Sequence, residues 1–328
     1  LRRAAAGGSL FALILGLAGL VTASDGLISR KPEILPELQA YAAAAKDWKF
    51  PEECYGMGPA GNLRPCRLGK AGDRGTLFVG DSFAMVPYGR FAGIAQRDPE
   101  SSFTFLASLG CPPVIGMRFV TDTANCSGFM EKALQFVEAR NFKRLVLAAN
   151  WYQYFNPEEG WMCFETQSGC LRETRPEAYF GRFDAALAQL QGRLRGIARS
   201  GTEIVIIGAT PSSPWNIPAE LAKRKFAGLD TSGIESIARV PFEQKGALIK
   251  SRLIALAEGA GGQFIDPLEY LCEDDRCPAV GTDGLPYFMD GQHYRSSIVQ
   301  TARFRYLDDA AGVHSRLSAA PAVSASTP

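Results

Sequence analysis

The chain has 328 residues, of which 46% are hydrophobic, and its formal net charge at pH 7 is +1. This length allows one large domain or two smaller ones, and the hydrophobic fraction is ample for a packed core. A net charge so close to zero gives no global field that would attract nucleic acid or an anionic membrane, which argues against a nucleic-acid function.

The first predicted element is an apolar segment, Ala4 to Ala23, which follows two arginines. Basic residues, an apolar centre and small residues at its end are typical of a secretory signal peptide. About 20 apolar residues are also enough for one transmembrane helix. In both cases the positive flank stays in the cytoplasm and the rest of the chain is exported. We therefore expect residues 1–24 to be a signal or transmembrane segment.

An alternation of strands and helices follows a connector at residues 25–74, which is rich in Pro, Gly and Ala and has a short helix near Pro36–Lys46. Short apolar runs predict strands at Thr76–Val79, Phe103–Ala107, Arg144–Ala149, Glu203–Gly208 and Gln263–Ile265. Amphipathic stretches predict helices near Phe83–Gln96, Gly128–Arg140, Glu177–Ser200 and Phe242–Glu258, and a last helix after His293. The alternation predicts an α/β fold, a three-layer α/β/α sandwich with a five-stranded parallel sheet, over residues 75–311. Residues 312–328 are rich in Ala, Ser and Pro and are predicted to be disordered.

The eight cysteines fall into pairs that are close in sequence. Nearest-neighbour closure predicts the disulfides Cys54–Cys66, Cys111–Cys126, Cys163–Cys170 and Cys272–Cys277. Such bonds indicate an oxidising compartment. Free buried thiols and a zinc site are the alternatives, and zinc is disfavoured because no Cys-x-x-Cys occurs and no histidine lies near a cysteine. We therefore expect no metal.

Residues with catalytic potential lie at the two ends of the α/β region. The first predicted strand runs directly into Asp81 and Ser82, and Asp290 precedes His293 by three residues near the end of the chain. A serine hydroxyl needs an adjacent base that is held by a carboxylate. The only other histidine, His314, lies in the predicted disordered tail, so His293 is the expected base and Asp290 its partner. Each motif alone is more typical of a plain turn or a solvated loop, with Asp81 anchoring the first turn, but their joint occurrence favours catalysis.

Four sequence blocks resemble the SGNH hydrolase superfamily, also called GDSL esterases. They are Gly-Asp-Ser at 80–82, Gly110, Asn150 and Asp290-x-x-His293, in that order, and the resemblance covers roughly residues 75 to 310. It implies a flavodoxin-like SGNH fold, no cofactor, and an oxyanion hole made by the N–H groups of Ser82 and Gly110 and the amide of Asn150. The third block departs from the family pattern Gly-x-Asn-Asp because it reads Ala-Ala-Asn-Trp here. The G-x-S-x-G elbow of α/β-hydrolases is absent around Ser82, which argues against that fold.

Flanking sequences resemble one subgroup, the bacterial acyltransferase-three membrane proteins that are fused to a C-terminal SGNH domain. These sequences are Ser24–Pro32, Leu109–Pro113, Val146–Tyr154 and Gly208–Pro211. The resemblance implies that Ala4–Ala23 is the last transmembrane helix of an inner-membrane protein, with its catalytic domain in the periplasm. It also implies a membrane acyltransferase domain, expected in an N-terminal part of the same polypeptide, as the partner that delivers an acyl donor.

The predicted reaction is the transfer of an acyl group, usually acetyl, through an acyl-Ser82 intermediate to a cell-surface glycan such as lipopolysaccharide or another polysaccharide. The alternatives are an exported esterase acting on acylated carbohydrates or lipids, and a glycan-binding module without catalysis. Trp151, Tyr152 and Tyr154 are candidate substrate-binding residues because flat aromatic faces pack well against sugar rings. The same residues are equally typical of a core or a packed loop.

Overall fold

A computed structural model describes residues 31–58, 61–70, 72, 74–122, 125–157 and 160–313. The predicted signal or transmembrane segment at 1–24 and almost all of the predicted disordered tail, including His314, lie outside these residues. Within the described ranges, no helix combines the length and the apolar character that crossing a membrane requires.

The described residues form eleven strands and eleven α-helices, which we number in chain order. The strands are β1 (Cys66–Gly69), β2 (Thr76–Gly80), β3 (Ser102–Ala107), β4 (Met117–Phe119), β5 (Arg144–Ala148), β6 (Met162–Thr166), β7 (Gly169–Leu171), β8 (Glu203–Ile207), β9 (Ser236–Ala238), β10 (Gln263–Ile265) and β11 (Arg276–Pro278). The helices are α1 (Leu35–Ala44), α2 (Ser82–Met85), α3 (Tyr88–Arg97), α4 (Phe129–Glu138), α5 (Trp151–Tyr154), α6 (Pro176–Arg199), α7 (Ile217–Ala227), α8 (Arg239–Gly259), α9 (Leu268–Leu271), α10 (Ser296–Val299) and α11 (Tyr306–Ala311).

The central sheet has six strands in the order β1-β3-β2-β5-β8-β10. The five predicted strands are all present and pair in parallel, which confirms the predicted α/β class. Their spatial order 2-1-3-4-5 is that of flavodoxin-like folds. The sixth strand, β1, pairs antiparallel with β3 and comes from the segment that the sequence predicts as a connector. The predicted domain boundaries remain predictions, but the sheet includes residues 66–69.

Side chains alternate between two buried layers along the parallel strands. Leu77 and Val79 of β2 pack into one hydrophobic cluster with α4, α6 and α8. Phe78, between them, packs into a second cluster with α1, α3, α7 and α11 on the opposite face. Because both faces are covered, each strand is apolar over most of its length, and the charged residues Arg144 and Glu203 stand only at strand starts. This is why short continuous apolar runs located the strands correctly, and it produces the predicted three-layer sandwich.

The predicted single helix at 83–96 is wrong in detail, because α2 ends at Met85 and α3 begins at Tyr88. Pro87 lies between them; proline lacks an N–H and its ring clashes with the carbonyl four residues earlier. The sequence prediction also missed α7, the antiparallel sheet β4-β6-β7 and the pair β9-β11. Most of these strands are only three residues long, too short to show a period.

Four disulfides join the cysteines in the predicted pairs. Cys54–Cys66 fastens the start of β1, and Cys163–Cys170 joins β6 to β7. Cys111–Cys126 closes the loop that begins one residue after Gly110. The nearest-neighbour prediction is therefore confirmed, and each bond restrains a loop at the surface of the sheet.

Candidate active site

Ser82 lies where β2 ends and α2 begins, at the carboxyl edge of the parallel sheet. The turn requires Gly80, because a Cβ at that position would collide with the carbonyl oxygen of Ala148 on the neighbouring strand. Asp81 is the N-cap residue of α2, and its Oδ1 accepts a hydrogen bond from the Phe83 N–H at 2.8 Å. The close approach and the cap together hold Ser82 at the mouth of the sheet.

Asp81 also connects β2 to β5. Its Oδ2 accepts a hydrogen bond from the backbone N–H of Asn150 at 2.9 Å and another from the hydroxyl of Tyr154. Asp81 is buried, and this burial raises the pKa of its carboxyl although the hydrogen bonds act in the opposite direction. The residue that the sequence assigned only to anchoring a turn therefore positions Asn150 next to the Ser82 turn.

His293 sits in a tight turn that the loop after β8 supports. The Met289 N–H donates to the His293 carbonyl at 2.9 Å, and Asp290 Oδ1 accepts from the His293 N–H at 2.8 Å. The Ser213 N–H donates to the Gly291 carbonyl at 2.7 Å, which joins this turn to the loop after β8. That loop passes so close that a Cβ on Gly291 would lie 2.8 Å from the Ser213 carbonyl oxygen. Backbone hydrogen bonds and this close packing therefore hold the turn together with the Asp290 side chain.

The structure brings Ser82, His293 and Asp290 together in one hydrogen-bonded chain. The Nε2 atom of His293 lies 2.8 Å from Ser82 Oγ, and its Nδ1 atom lies 2.7 Å from Asp290 Oδ2. Burial would raise the pKa of Asp290, but hydrogen bonds from the side chain and backbone of His293 and from the Gln292 N–H hold it below its ordinary value. An ionised Asp290 accepts from Nδ1–H and leaves Nε2 free to accept the Ser82 proton.

Two aromatic rings restrain the imidazole of His293. Phe83 lies with its ring centroid 5.1 Å from that of His293, and Trp48 meets it edge-on at 5.8 Å. Trp48 follows α1 in the segment that the sequence predicts as a connector. The neighbouring Asp47 accepts from the Ser297 hydroxyl and from Arg295 Nε at 3.2 Å. This N-terminal segment is therefore packed directly against the histidine turn.

The three predicted oxyanion-hole residues each follow the carboxyl end of a parallel strand, Ser82 after β2, Gly110 after β3 and Asn150 after β5. Gly110 has a φ of 67°, and a Cβ there would lie 2.8 Å from the ring of Phe119, so the turn requires glycine. Among the described residues, neither the Gly110 N–H nor the Ser82 N–H has a protein acceptor. The Asn150 amide is engaged: Nδ2 lies 2.5 Å from Gln292 Oε1 and 3.3 Å from Gln153 Oε1.

The structure corrects two of the predicted substrate-binding residues. Trp151 and Tyr154 have no exposed surface, so neither can contact a sugar. The Trp151 indole N–H donates to the Ile207 carbonyl at 2.8 Å, and the Tyr154 hydroxyl donates to Asp81. Both are core residues that hold α5 against the sheet. Tyr152 is only partly buried, donates its hydroxyl to the Phe242 carbonyl at 3.1 Å and borders an open groove beside the candidate site.

Sequence reasoning missed the contacts of Gln292 and Trp48. Gln292 lies between Asp290 and His293, and this position in the motif could have indicated that it belongs to the site. No sequence pattern indicated the contact of Trp48 with His293, because Trp48 lies 245 residues before His293 in the chain. Contacts of this kind depend on the path of the loops, which no local pattern determines.

Comparison with known proteins finds a family whose model covers most of the chain. The family model described as the SGNH domain fused to AT3 domains matches residues 52–302. Among solved structures, the periplasmic domain of a lipopolysaccharide acetyltransferase from Salmonella ser. Paratyphi A aligns with a TM-score of 0.50 at 11% identity, covering 88% of this chain and 98% of that one. A candidate acylhydrolase from Bacteroides fragilis aligns with a TM-score of 0.35 at 13% identity, over 82% of this chain and 97% of that one. No curated protein gives a significant match.

Proposed function

The chain belongs to the family of SGNH domains fused to AT3 domains, and from this premise we propose that it is an O-acyltransferase. In this proposal it transfers an acyl group, most simply acetyl, through an acyl-Ser82 intermediate to a hydroxyl of a cell-surface glycan. Ser82 is the nucleophile, His293 the general base and acid, and Asp290 the group that orients His293. The observation that carries the proposal is the continuous hydrogen-bonded chain Ser82 Oγ–His293 Nε2, 2.8 Å, and His293 Nδ1–Asp290 Oδ2, 2.7 Å.

In the first half-reaction, Ser82 Oγ attacks the carbonyl carbon of the acyl donor while its proton moves to His293 Nε2. The bond between that carbon and the leaving oxygen then breaks, and Nε2 returns the proton to the leaving group. The product is an ester on Ser82. Asp290 stays ionised and stabilises the imidazolium that forms between the two proton transfers, and its lowered pKa supports this role.

The negative charge on the carbonyl oxygen would be stabilised by the Ser82 N–H, the Gly110 N–H and the Asn150 amide. Asn150 Nδ2 is directed at Gln292 Oε1, so the substrate oxygen would replace this acceptor. Gln292 is exposed, so its side chain has room to turn away. All the groups in this proposal belong to the chain itself, and the proposal therefore includes no metal or other cofactor.

In the second half-reaction, a glycan hydroxyl gives its proton to His293 Nε2 and attacks the Ser82 ester. The acyl group then leaves Ser82 for the glycan oxygen, and Ser82 recovers its proton. Four disulfides support a location in an oxidising, extracytoplasmic compartment. We propose that this compartment is the periplasm, that an inner-membrane AT3 domain supplies the acyl group, and that lipopolysaccharide, the substrate named for the Salmonella domain, is the first acceptor to test.

The test mixes the full chain with p-nitrophenyl acetate and O-deacetylated surface polysaccharide and follows acetyl groups by mass spectrometry, with Ser82→Ala as the control. Acetyl on Ser82 and then on the polysaccharide, both absent in the control, is the expected result. Free acetate and an unmodified polysaccharide would instead indicate an esterase. Acetylation that persists in Ser82→Ala would contradict the proposed nucleophile. If Ser82 of the unaltered chain is not acetylated, the result would support the alternative of a glycan-binding module without catalysis.

A further inference from the structure

An open groove of about 530 Å³ lies beside the candidate site. Asn150 and Gln292, which contact each other next to the Ser82 turn and His293, belong to its lining, together with Trp161 and with Phe242 near the start of α8. Because Gln292 precedes His293 directly and the Asn150 N–H is bonded to Asp81, a ligand in this groove would have one end beside the Ser82–His293 pair.

The groove is lined by groups that match a hydroxyl-rich ligand. Side-chain amides of Asn150, Gln153, Asn156 and Gln292 border it, and each amide can both donate and accept hydrogen bonds. Sugar hydroxyls also do both. A long acyl chain, in contrast, has no donor or acceptor groups along its length for these amides. The volume lies within the range of about 300–1,000 Å³ that is usual for small-ligand sites.

Trp161 supplies a flat apolar face in the same groove. Its side chain is 51% exposed, which is unusual for the largest apolar residue, while the adjacent Met162 is buried. The Trp161 carbonyl accepts from the Val120 N–H at 2.9 Å, so the backbone beneath this side chain is held in place. An exposed indole on a restrained backbone can stack on the apolar face of a sugar ring with little loss of conformational freedom.

We propose that this groove binds the acceptor glycan, with a sugar ring stacked on Trp161 and the reacting hydroxyl directed past Asn150 and Gln292 towards His293. This inference rests on the proposed acyl transfer and adds to it the location of the acceptor. It places the acyl donor elsewhere, on the side of Ser82 away from the groove.

The experiment measures glycan binding without turnover. The full chain carrying Ser82→Ala, in mild detergent, is titrated with O-deacetylated oligosaccharides cut from the surface polysaccharide of the producing cell, and the dissociation constant is measured by calorimetry. Trp161→Ala and Trp161→Phe are compared in this background. Trp215→Ala is the matched control, because Trp215 is 46% exposed and does not line the groove.

We expect Trp161→Ala to weaken binding about tenfold, which corresponds to about 1.4 kcal/mol of binding free energy, because it removes the flat face on which the sugar ring stacks. Trp161→Phe should restore most of the affinity, and Trp215→Ala should bind like the parent. In chains that retain Ser82, acetylation of Ser82 by p-nitrophenyl acetate should be equal with and without Trp215→Ala, because Trp215 does not line the groove. Equal affinity of Trp161→Ala and parent, equal weakening by Trp215→Ala, or no binding by the parent would overturn the groove assignment. Trp161-dependent binding without transfer of acetyl to the oligosaccharide would retain the groove and refute the transferase.

Discussion

Asp290→Asn tests the role of His293 most directly, because the substitution keeps the shape of the side chain but replaces one carboxylate oxygen by an NH₂ group and removes the negative charge. Asp290 Oδ1 accepts from the backbone N–H groups of Gln292 and His293 at 2.7 and 2.8 Å, and an asparagine oxygen can retain both bonds. Oδ2 faces His293 Nδ1 at 2.7 Å, where asparagine would place an NH₂ group. Nδ1 must then accept, so the ring proton moves to Nε2. There it faces Ser82 Oγ, and the imidazole can no longer take the serine proton.

The expected loss is about 10⁴-fold in the rate of Ser82 acetylation, the size that a wrong histidine tautomer produces in serine hydrolases. Asp290→Ala is the contrasting variant, because it also removes the acceptor for two backbone N–H groups. At about 0.5–1.5 kcal/mol for each hydrogen bond, it should lower the free energy of unfolding by about 1–3 kcal/mol. Asp290→Asn should lower it by clearly less.

The assay is the release of p-nitrophenol from p-nitrophenyl acetate in a single turnover, with urea unfolding measured in parallel. Because the folded protein holds the pKa of Asp290 below its ordinary value of 3.8, the stability that its ionisation provides is present above that pH and is lost as the pH falls through the lowered pKa. This acid-dependent part should be missing in Asp290→Asn. An Asp290→Asn protein that is acetylated within tenfold of the wild-type rate would refute the tautomer argument.

Three further substitutions test the surroundings of the site. Tyr154→Phe removes one of the two donors to the buried Asp81 Oδ2 and should lower the free energy of unfolding by about 1–3 kcal/mol; unchanged urea unfolding would contradict this. Asn150→Ala keeps its backbone N–H on Asp81 but loses the amide, so Ser82 acetylation should slow about 10²–10³-fold with unchanged stability, and a normal rate would exclude it from the oxyanion hole. Replacing Cys111 and Cys126 together by serine opens a loop of 15 residues and should lower the free energy of unfolding by about 3 kcal/mol. Thermal unfolding measures this loss, and an unchanged transition would contradict the prediction.

Much of the fold followed from local patterns. The strands β2, β3, β5, β8 and β10 agree with the predicted apolar runs to within a residue, because a strand covered on both faces is apolar over most of its length. Disulfide pairing followed from sequence proximity in the same way. Where a pattern was interrupted, the prediction failed: Pro87 divides the first helix, and three-residue strands have no detectable period.

The sequence by itself determined which chemistry was available, since one histidine within the α/β region, one Gly-Asp-Ser turn and one Asp-x-x-His motif left little choice of nucleophile and base. Only the tertiary structure decided the roles of the residues around them. Trp151 and Tyr154 read equally well as sugar-binding or core residues until their burial was seen, and the contacts of Trp48 with His293 and of Gln292 with Asn150 join distant parts of the chain. The physical reason is that periodicity and turn chemistry are local, whereas burial and side-chain partners depend on which segments the sheet brings together.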